Sequence, residues 1–354
     1  MLTAQRAADL AAAGFPSYDQ LKARTGKFFA RVERKLDGLP ADRVIEPPAT
    51  IAAPAAFHYA LLGDSADVSE LRAPAHDERL VLSQANLLEP GAAAAVVDGA
   101  DVVFHLAAIV SGQAEADFDM GMNVNVDATR SLLEAARATG HCPRFVYASS
   151  LAVFGPPLPA VVDEQTAVHP QSSYGAQKAI CELLVADYTR KAFVDGRVLR
   201  LPTVCVRPGT PNAAASSFVS GIIREPLHGE KAVCPVSRDH KLWLSSPAAV
   251  VENLIHAAWL RPDELGFERI INLPGITVTV GEMIASLERI AGKETASRVV
   301  FGEDLKVRRI VCSWPSSFDV TRALRLGFSR DPDFDDLIMD FISDEKAEKG
   351  LKRP

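Results

Sequence analysis

The sequence predicts an α/β fold: a doubly wound parallel sheet with a smaller mixed C-terminal lobe. Three observations predict it. From about Arg79 the chain alternates short apolar runs with amphipathic segments, the pattern of strands and helices taking turns in a parallel sheet. After about Arg207 the pattern loosens into a proline-glycine turn and a polar, small-residue stretch from Asn212 to Ser217. The length of 354 residues, with 48% hydrophobic and 23% charged residues, suits one large domain with a smaller lobe attached.

The elements follow in order. Phe57 to Leu62 is the first strand-like run, and Arg79 to Ala85 reads as a strand. Pro90 to Val97 reads as a short helix, and Asp101 to Leu106 as a buried strand. Phe118 to Thr139 is a long helix stopped by Gly140. Arg144 to Ser149 is a strand, Ser173 to Lys191 a helix, and Arg197 to Val206 a strand closed by Pro208-Gly209. In the lobe, Ser217–Arg224, Pro247–Leu260 and Val280–Ala291 read as helices, the last stopped by Gly292. Arg269 to Gly275 is a strand, and Phe334 to Ile342 a last amphipathic helix. Residues 1–56 form an atypical N-terminal segment, 57–208 a dinucleotide-binding part, 209–345 mainly a substrate lobe, and 346–354 a tail. In such a sheet a ligand sits at the carboxyl ends of the strands.

Composition narrows the function. A net charge of −7 implies no affinity for nucleic acid. Cys142, Cys181, Cys205, Cys234 and Cys312 are scattered, odd in number and without C-x-x-C spacing. That pattern points to a reducing compartment, with no disulfide framework and no metal site. No apolar run approaches a membrane span of ~18 residues, and no basic cluster precedes the alanine-rich start. The cytoplasm is the expected location.

Ser150, Tyr174 and Lys178 carry the chemistry. Ser150 ends an apolar strand, and Tyr174 and Lys178 stand four residues apart at the start of a helix, so they share one face. An ammonium beside a phenol is expected to lower its pKa. Such a phenol can take a proton from a substrate hydroxyl, while the serine holds the same oxygen. Ser149 points to the other face of the strand and reads as structural. His105, at the end of a buried strand, reads as a packing histidine, not a base.

Together these residues resemble the extended short-chain dehydrogenase/reductases, which have a Rossmann-like fold. The likeness runs from about Asp67 to Asp344. His105-Leu106-Ala107-Ala108, Asn125 to Thr129, the Ser150–Tyr174–Lys178 set, Leu201 to Gly209, and Asp319 to Ala323 followed by Leu326-Gly327-Phe328 carry it. Stretches 105–112, 174–184 and 200–215 are most similar to the subgroup that oxidises the C2 hydroxyl of a four-carbon acid such as D-erythronate with NAD. The resemblance implies a homodimer that pairs the helices at 118–139 and 173–191, whose apolar residues include Leu132, Leu133, Ile180, Leu183 and Leu184.

It also implies roles. Tyr174 is the base, Lys178 bonds the nicotinamide ribose, and Asn125 orders the active-site helix or acts directly. Asp67, with Asp64 as competitor, would hold the adenosine ribose and favour NAD over NADP. Asn86 and Leu87 lie by the adenine, Leu106, Ala107 and Ala108 by the adenosine half, and Pro202 and Thr203 by the nicotinamide. A carboxylate substrate needs a cation: Arg207, Arg224 and Lys241 are available, with Ser111, Asn212, Ser216 and Trp243 as polar or stacking contacts. Two further readings stand beside the sugar-acid dehydrogenase: a nucleotide-sugar epimerase or dehydratase, and a member that binds no cofactor.

The third reading rests on the N-terminus. The family opens with a buried strand and a G-x-x-G-x-x-G turn whose backbone donors take the pyrophosphate. Here Ala11, Gly14 and Ser17 hold the only matching spacing, with no strand before them. Family-like sequence resumes abruptly near Asp67, which reads as a frame shift or wrong start upstream. Residues before about Tyr59 are expected not to build a normal first βα unit.

Overall fold

The computed structural model describes residues Phe57–Leu61 and Leu80–Glu348. The chain divides into two compact units, Met1–Asp101 and Val102–Pro354. The expectations for residues 1–56, for Asp64 and for Asp67 lie outside the described residues.

In the first unit, β1 (Phe57–Leu61) pairs in parallel with β2 (Leu80–Gln84), Phe57 opposite Leu80 and Leu61 opposite Gln84. A turn follows in which the Asn86 carbonyl accepts from Glu89 N at 3.0 Å and its side-chain Oδ1 from Leu88 N at 3.1 Å. Gly91, at φ 85°, then admits the chain to α1 (Ala92–Val97); only glycine enters that region without strain.

The second unit is built on a parallel four-stranded sheet. Its order is β3 (Val102–His105), β4 (Arg144–Ser150), β5 (Asp195–Leu201) and β9 (Ile270–Asn272). Along β4 the side chains of Phe145, Val146 and Tyr147 are fully buried, as a central strand covered on both faces requires. Between these strands run α2 (Ser111–Ala116), α3 (Phe118–Gly121), α4 (Ala128–Thr139) and α5 (Ser173–Arg190). The stretch expected as one helix over 118–139 is interrupted: Met122–Asp127 is a π-helical turn joining α3 to α4. Leu132 and Leu133 on α4 face the core and are buried, so they are not free for the partner helix expected of them.

At Pro202 the chain leaves this sheet. Proline has no N–H to continue the ladder, and the next residues, β6 (Thr203–Val204), pair in parallel with β8 (Lys241–Ser245). β8 also pairs antiparallel with β10 (Ile276–Thr279), and β7 (Ala232–Cys234) pairs with β11 (Val299–Phe301). Around them pack α6 (Ser217–Leu227), α8 (Val280–Ala291) and α9 (Phe334–Glu348), while α7 (Pro247–Trp259) packs against β4 and β5 of the main sheet. The lobe has its own core, centred on Val219, Ile222, Leu244, Met283, Leu287 and Ile338. A second core lies against the main sheet and includes Val146, Leu199, Ala257 and Ile271. Trp243 belongs to that second core, its ring 5.1 Å from Phe318. Its burial corrects the expectation that it stacks on substrate. No helix among the described residues is long and apolar enough to cross a membrane, and all five cysteines are free.

Candidate active site

Ser150 is the last residue of β4. Its Oγ accepts from Ala152 N at 3.2 Å and so caps the short 3-10 turn Leu151–Val153. Ser172 caps α5 by accepting from Gly175 N at 3.2 Å, which sets Tyr174 in the first turn of the helix. The two segments meet at Gly175, where a Cβ would lie 2.1 Å from the Ala152 carbonyl oxygen. Only a glycine lets the helix start sit this close to the serine turn. The result sets the Ser150 hydroxyl beside the Tyr174 phenol, near enough to lower its pKa.

Lys178 follows one turn later and is buried. Its ammonium donates to the Ala148 carbonyl at 2.7 Å and lies 4.7 Å from the Tyr147 ring and 5.6 Å from the Tyr174 ring. Burial pushes its pKa down to about 8. Burial likewise pushes Tyr174 up to about 12, against the lowering by the Ser150 hydroxyl and by the Arg207 charge. The expectation that Lys178 brings the phenol below its ordinary value is thereby corrected. Desolvation disfavours both charged forms at once, and the lysine's own charge is weakened by the burial that brings it close.

Asn125 lies in the π-helical turn, a device that is common at functional sites. Its Oδ1 accepts from Ile109 N at 2.9 Å, and its Nδ2 donates to Ile109 O at 3.2 Å and to Gln177 Oε1 at 2.7 Å. Both amide donors are therefore spent tying the loop after β3 to the residue before Lys178. The wide turn frees its carbonyl, which accepts from the Thr129 hydroxyl at 2.7 Å and from the Cys181 thiol. Thr129 having donated there, His105 Nε2 must donate to Thr129 at 2.7 Å. Burial holds His105 down at about 3, so it is a neutral packing residue as expected.

Behind the site runs a buried ion pair. Glu182 Oε2 meets Arg200 Nη2 at 2.7 Å, and Glu182 Oε1 accepts from Arg200 Nε at 2.9 Å and from the Ser149 hydroxyl. This pair locks α5 to β4 and β5 one residue from Ser150. Gly175, Gln177, Thr129 and the Glu182–Arg200 pair are support residues that the motif reading passed over. Glu182 could have been found, since it stands four residues after Lys178 on the same helix.

The remaining candidates fall into groups. Leu106, Ala107 and Ala108 continue past the end of the β3–β4 ladder at His105 opposite Tyr147. Pro202 and Thr203 lie at the crossing from β5 to β6. Asn86 and Leu87 belong to the first unit. Ser111 is buried, and its Oγ accepts from Ala215 N at 2.9 Å. Next to it a Cβ on Gly112 would lie 2.2 Å from Ala213 O, so the small-residue stretch lies directly on the start of α2. Asn212 is exposed, its Oδ1 accepting from Ala214 N, and Ser216 precedes α6. Arg224 is buried and occupied: Nη2 meets Glu225 Oε1 at 2.6 Å and Nη1 donates to Arg207 O at 2.9 Å. Lys241 is exposed on β8.

The family model for the NAD-dependent epimerase/dehydratase family matches residues 59–243. The chain belongs to the NAD-dependent epimerase/dehydratase family. Among its relatives is D-erythronate dehydrogenase of Cupriavidus necator, 53% identical over 76% of this chain and 83% of that protein. The D-erythronate dehydrogenase of Haemophilus influenzae is 50% identical over 78% of this chain and 88% of that protein. A solved structure described as the nucleoside-diphosphate-sugar epimerase from Agrobacterium tumefaciens superposes with a TM-score of 0.74 at 44% identity, covering 78% of this chain and 82% of that one. The family implies a nicotinamide cofactor, and the nicotinamide side of the site suits one. A lysine has three donors, of which Lys178 gives one to Ala148. The rest can meet a ribose diol beside the Tyr174 phenol.

Proposed function

We propose that the protein is an NAD-dependent dehydrogenase that oxidises the C2 hydroxyl of a small sugar acid such as D-erythronate. The observation that carries the reading is the packing of the Tyr174 turn directly onto the Ser150 turn at Gly175, with the buried Lys178 ammonium 5.6 Å from the Tyr174 ring. The relatives in Cupriavidus necator and Haemophilus influenzae, named D-erythronate dehydrogenases, supply the substrate class. Ser150 holds the reacting oxygen, Tyr174 takes its proton, and Lys178 orients the ribose and stabilises the phenolate. When bound, NAD supplies the hydride acceptor. Asn125 and Gln177 keep the helix in register with the loop after β3. Leu106 to Ala108, Pro202 and Thr203 line the cofactor, with Asp67, Asn86 and Leu87 toward its adenosine end. Asn212 and Ser216 face the substrate from the lobe, and Ser111 from the start of α2. The working form is a homodimer in the cytoplasm, where free thiols persist.

The test is NADH formation at millimolar NAD with D-erythronate, set against UDP-glucose and UDP-galactose. Activity with the acid alone is expected. Interconversion of the nucleotide sugars without net NADH would establish the epimerase reading in its place. In the Tyr174→Phe variant kcat should fall by about 10²–10⁴-fold while NADH affinity is retained, because only the proton acceptor is lost.

A further inference from the structure

We propose that Arg207, not Arg224, is the anchor for the substrate carboxylate. The inference rests on the sugar-acid reading above and names the group that would select the acid.

Two guanidiniums stand together where the chain passes from β6 toward α6. Arg224 has a counter-ion, Glu225, at 2.6 Å. Arg207 has none among the described residues, and its Nε is buried without a hydrogen-bond partner. Arg207 is half-buried beside a second cation whose counter-ion is Glu225, and it has no carboxylate of its own among the described residues. Desolvating such a charge is costly unless an anion joins it. The cost is visible in Arg207 itself, whose pKa is pushed down by burial first and by Arg224 among the lesser causes.

The backbone of Arg207 is held at both ends. Its N–H donates to Ser220 Oγ at 3.0 Å, and its carbonyl accepts from Arg224 Nη1 at 2.9 Å. Arg224 is thus spent in holding Arg207, and Arg207 is left for the ligand. Its charge is felt at Tyr174, whose pKa it lowers. That places the guanidinium within Coulombic reach of the phenol that meets the C2 hydroxyl. In a 2-hydroxy acid the carboxylate is one carbon from that hydroxyl. A cation placed here meets both oxygens of the acid group, in the forked geometry that arginine supplies.

The experiment compares D-erythronate with its neutral amide by calorimetry in the presence of NADH, on the full chain and on Arg207→Met and Arg207→Lys variants. The wild type should prefer the acid by roughly 30-fold or more, the range for losing one partner of a buried charge pair. Arg207→Met should bind the two alike, and Arg207→Lys should keep only part of the preference. Arg207→Met is expected to fold, since the side chain has no protein partner among the described residues to orphan; thermal unfolding checks this, and Arg207→Lys carries the test if it does not. A wild type without preference for the acid overturns the sugar-acid reading and this assignment together. A wild type that prefers the acid, with variants that keep the full preference, overturns the assignment alone. Equal weakening of acid and amide in the variants also overturns it, because it marks a role in shape or in the charge felt by Tyr174.

Discussion

Desolvation at Tyr174 outweighs the Ser150 hydroxyl and the Arg207 charge that oppose it, and the phenol ends at about 12. Lys178 moves the other way, to about 8. These directions give the oxidation a definite pH dependence. The reactive form needs a deprotonated Tyr174 and a protonated Lys178. Below about 8, where Lys178 is charged, each pH unit raises the phenolate fraction tenfold, so log kcat/KM should climb with a slope near one. Above about 8 the gain in phenolate is cancelled by the loss of ammonium, and the profile should level off. Rates measured across this range check it, and a flat or falling profile at neutral pH would contradict the assignment. Lys178→Arg, which keeps its charge at high pH, should move the bend upward.

At the scale of elements, the site depends on close approaches that leave no room for a side chain. Gly175→Ala would press a methyl against Ala152 O at 2.1 Å and lever the start of α5 away from Ser150. Overpacking of this kind costs about 1–3 kcal/mol. Its larger effect should be on turnover, which should drop much more than thermal stability suggests, while Ala176→Gly, on the next residue, should not behave this way. The elements that form one unbroken pattern were legible in sequence: the predicted helix Val280–Ala291 matches α8 end for end, because the Thr279–Glu282 capping box and Gly292 mark its limits. The proximity of Ser150, Tyr174 and Lys178 was legible for the same reason, since a strand end and an i, i+4 pair are local features. The π-helical turn at Met122–Asp127 was not, because the apolar spacing of a helix survives one widened turn. Trp243 and Arg224 were misjudged because their fates are set by Phe318 and Glu225, and nothing in their own neighbourhood in sequence says whether a polar or aromatic side chain is already occupied. The short lobe strands β7, β10 and β11 were missed, each only three or four residues long.

For the whole molecule, assembly and cofactor affinity follow from what the sequence places outside the catalytic trio. With Leu132 and Leu133 buried, the apolar residues open on α5 are Ile180 at 39% and Leu183 at 69% exposure. They stand three apart on one helix face, suited to a self-complementary contact across a two-fold axis. Leu183→Glu should convert a dimer to a monomer in light scattering; a wild type that is already monomeric at micromolar concentration would reject the interface. Affinity for NAD is the sharper question. The pyrophosphate of a dinucleotide is normally held by backbone N–H groups of a glycine-rich turn, where a Cβ would stand in the way. This chain has Ala11 and Ser17 around Gly14 at the only matching spacing, so two of the three close approaches would meet a side chain. In the proposed reading, Ser150, Tyr174 and Lys178 serve the nicotinamide end and would contribute the ribose contacts alone. The expected outcome is a Kd for NAD weaker than about 1 mM, the upper end of ordinary enzyme affinities. Turnover should then rise almost linearly with NAD, since the trio still works whenever the cofactor arrives. Calorimetry on this chain decides it: a micromolar Kd would mean that other backbone donors replace the glycine turn.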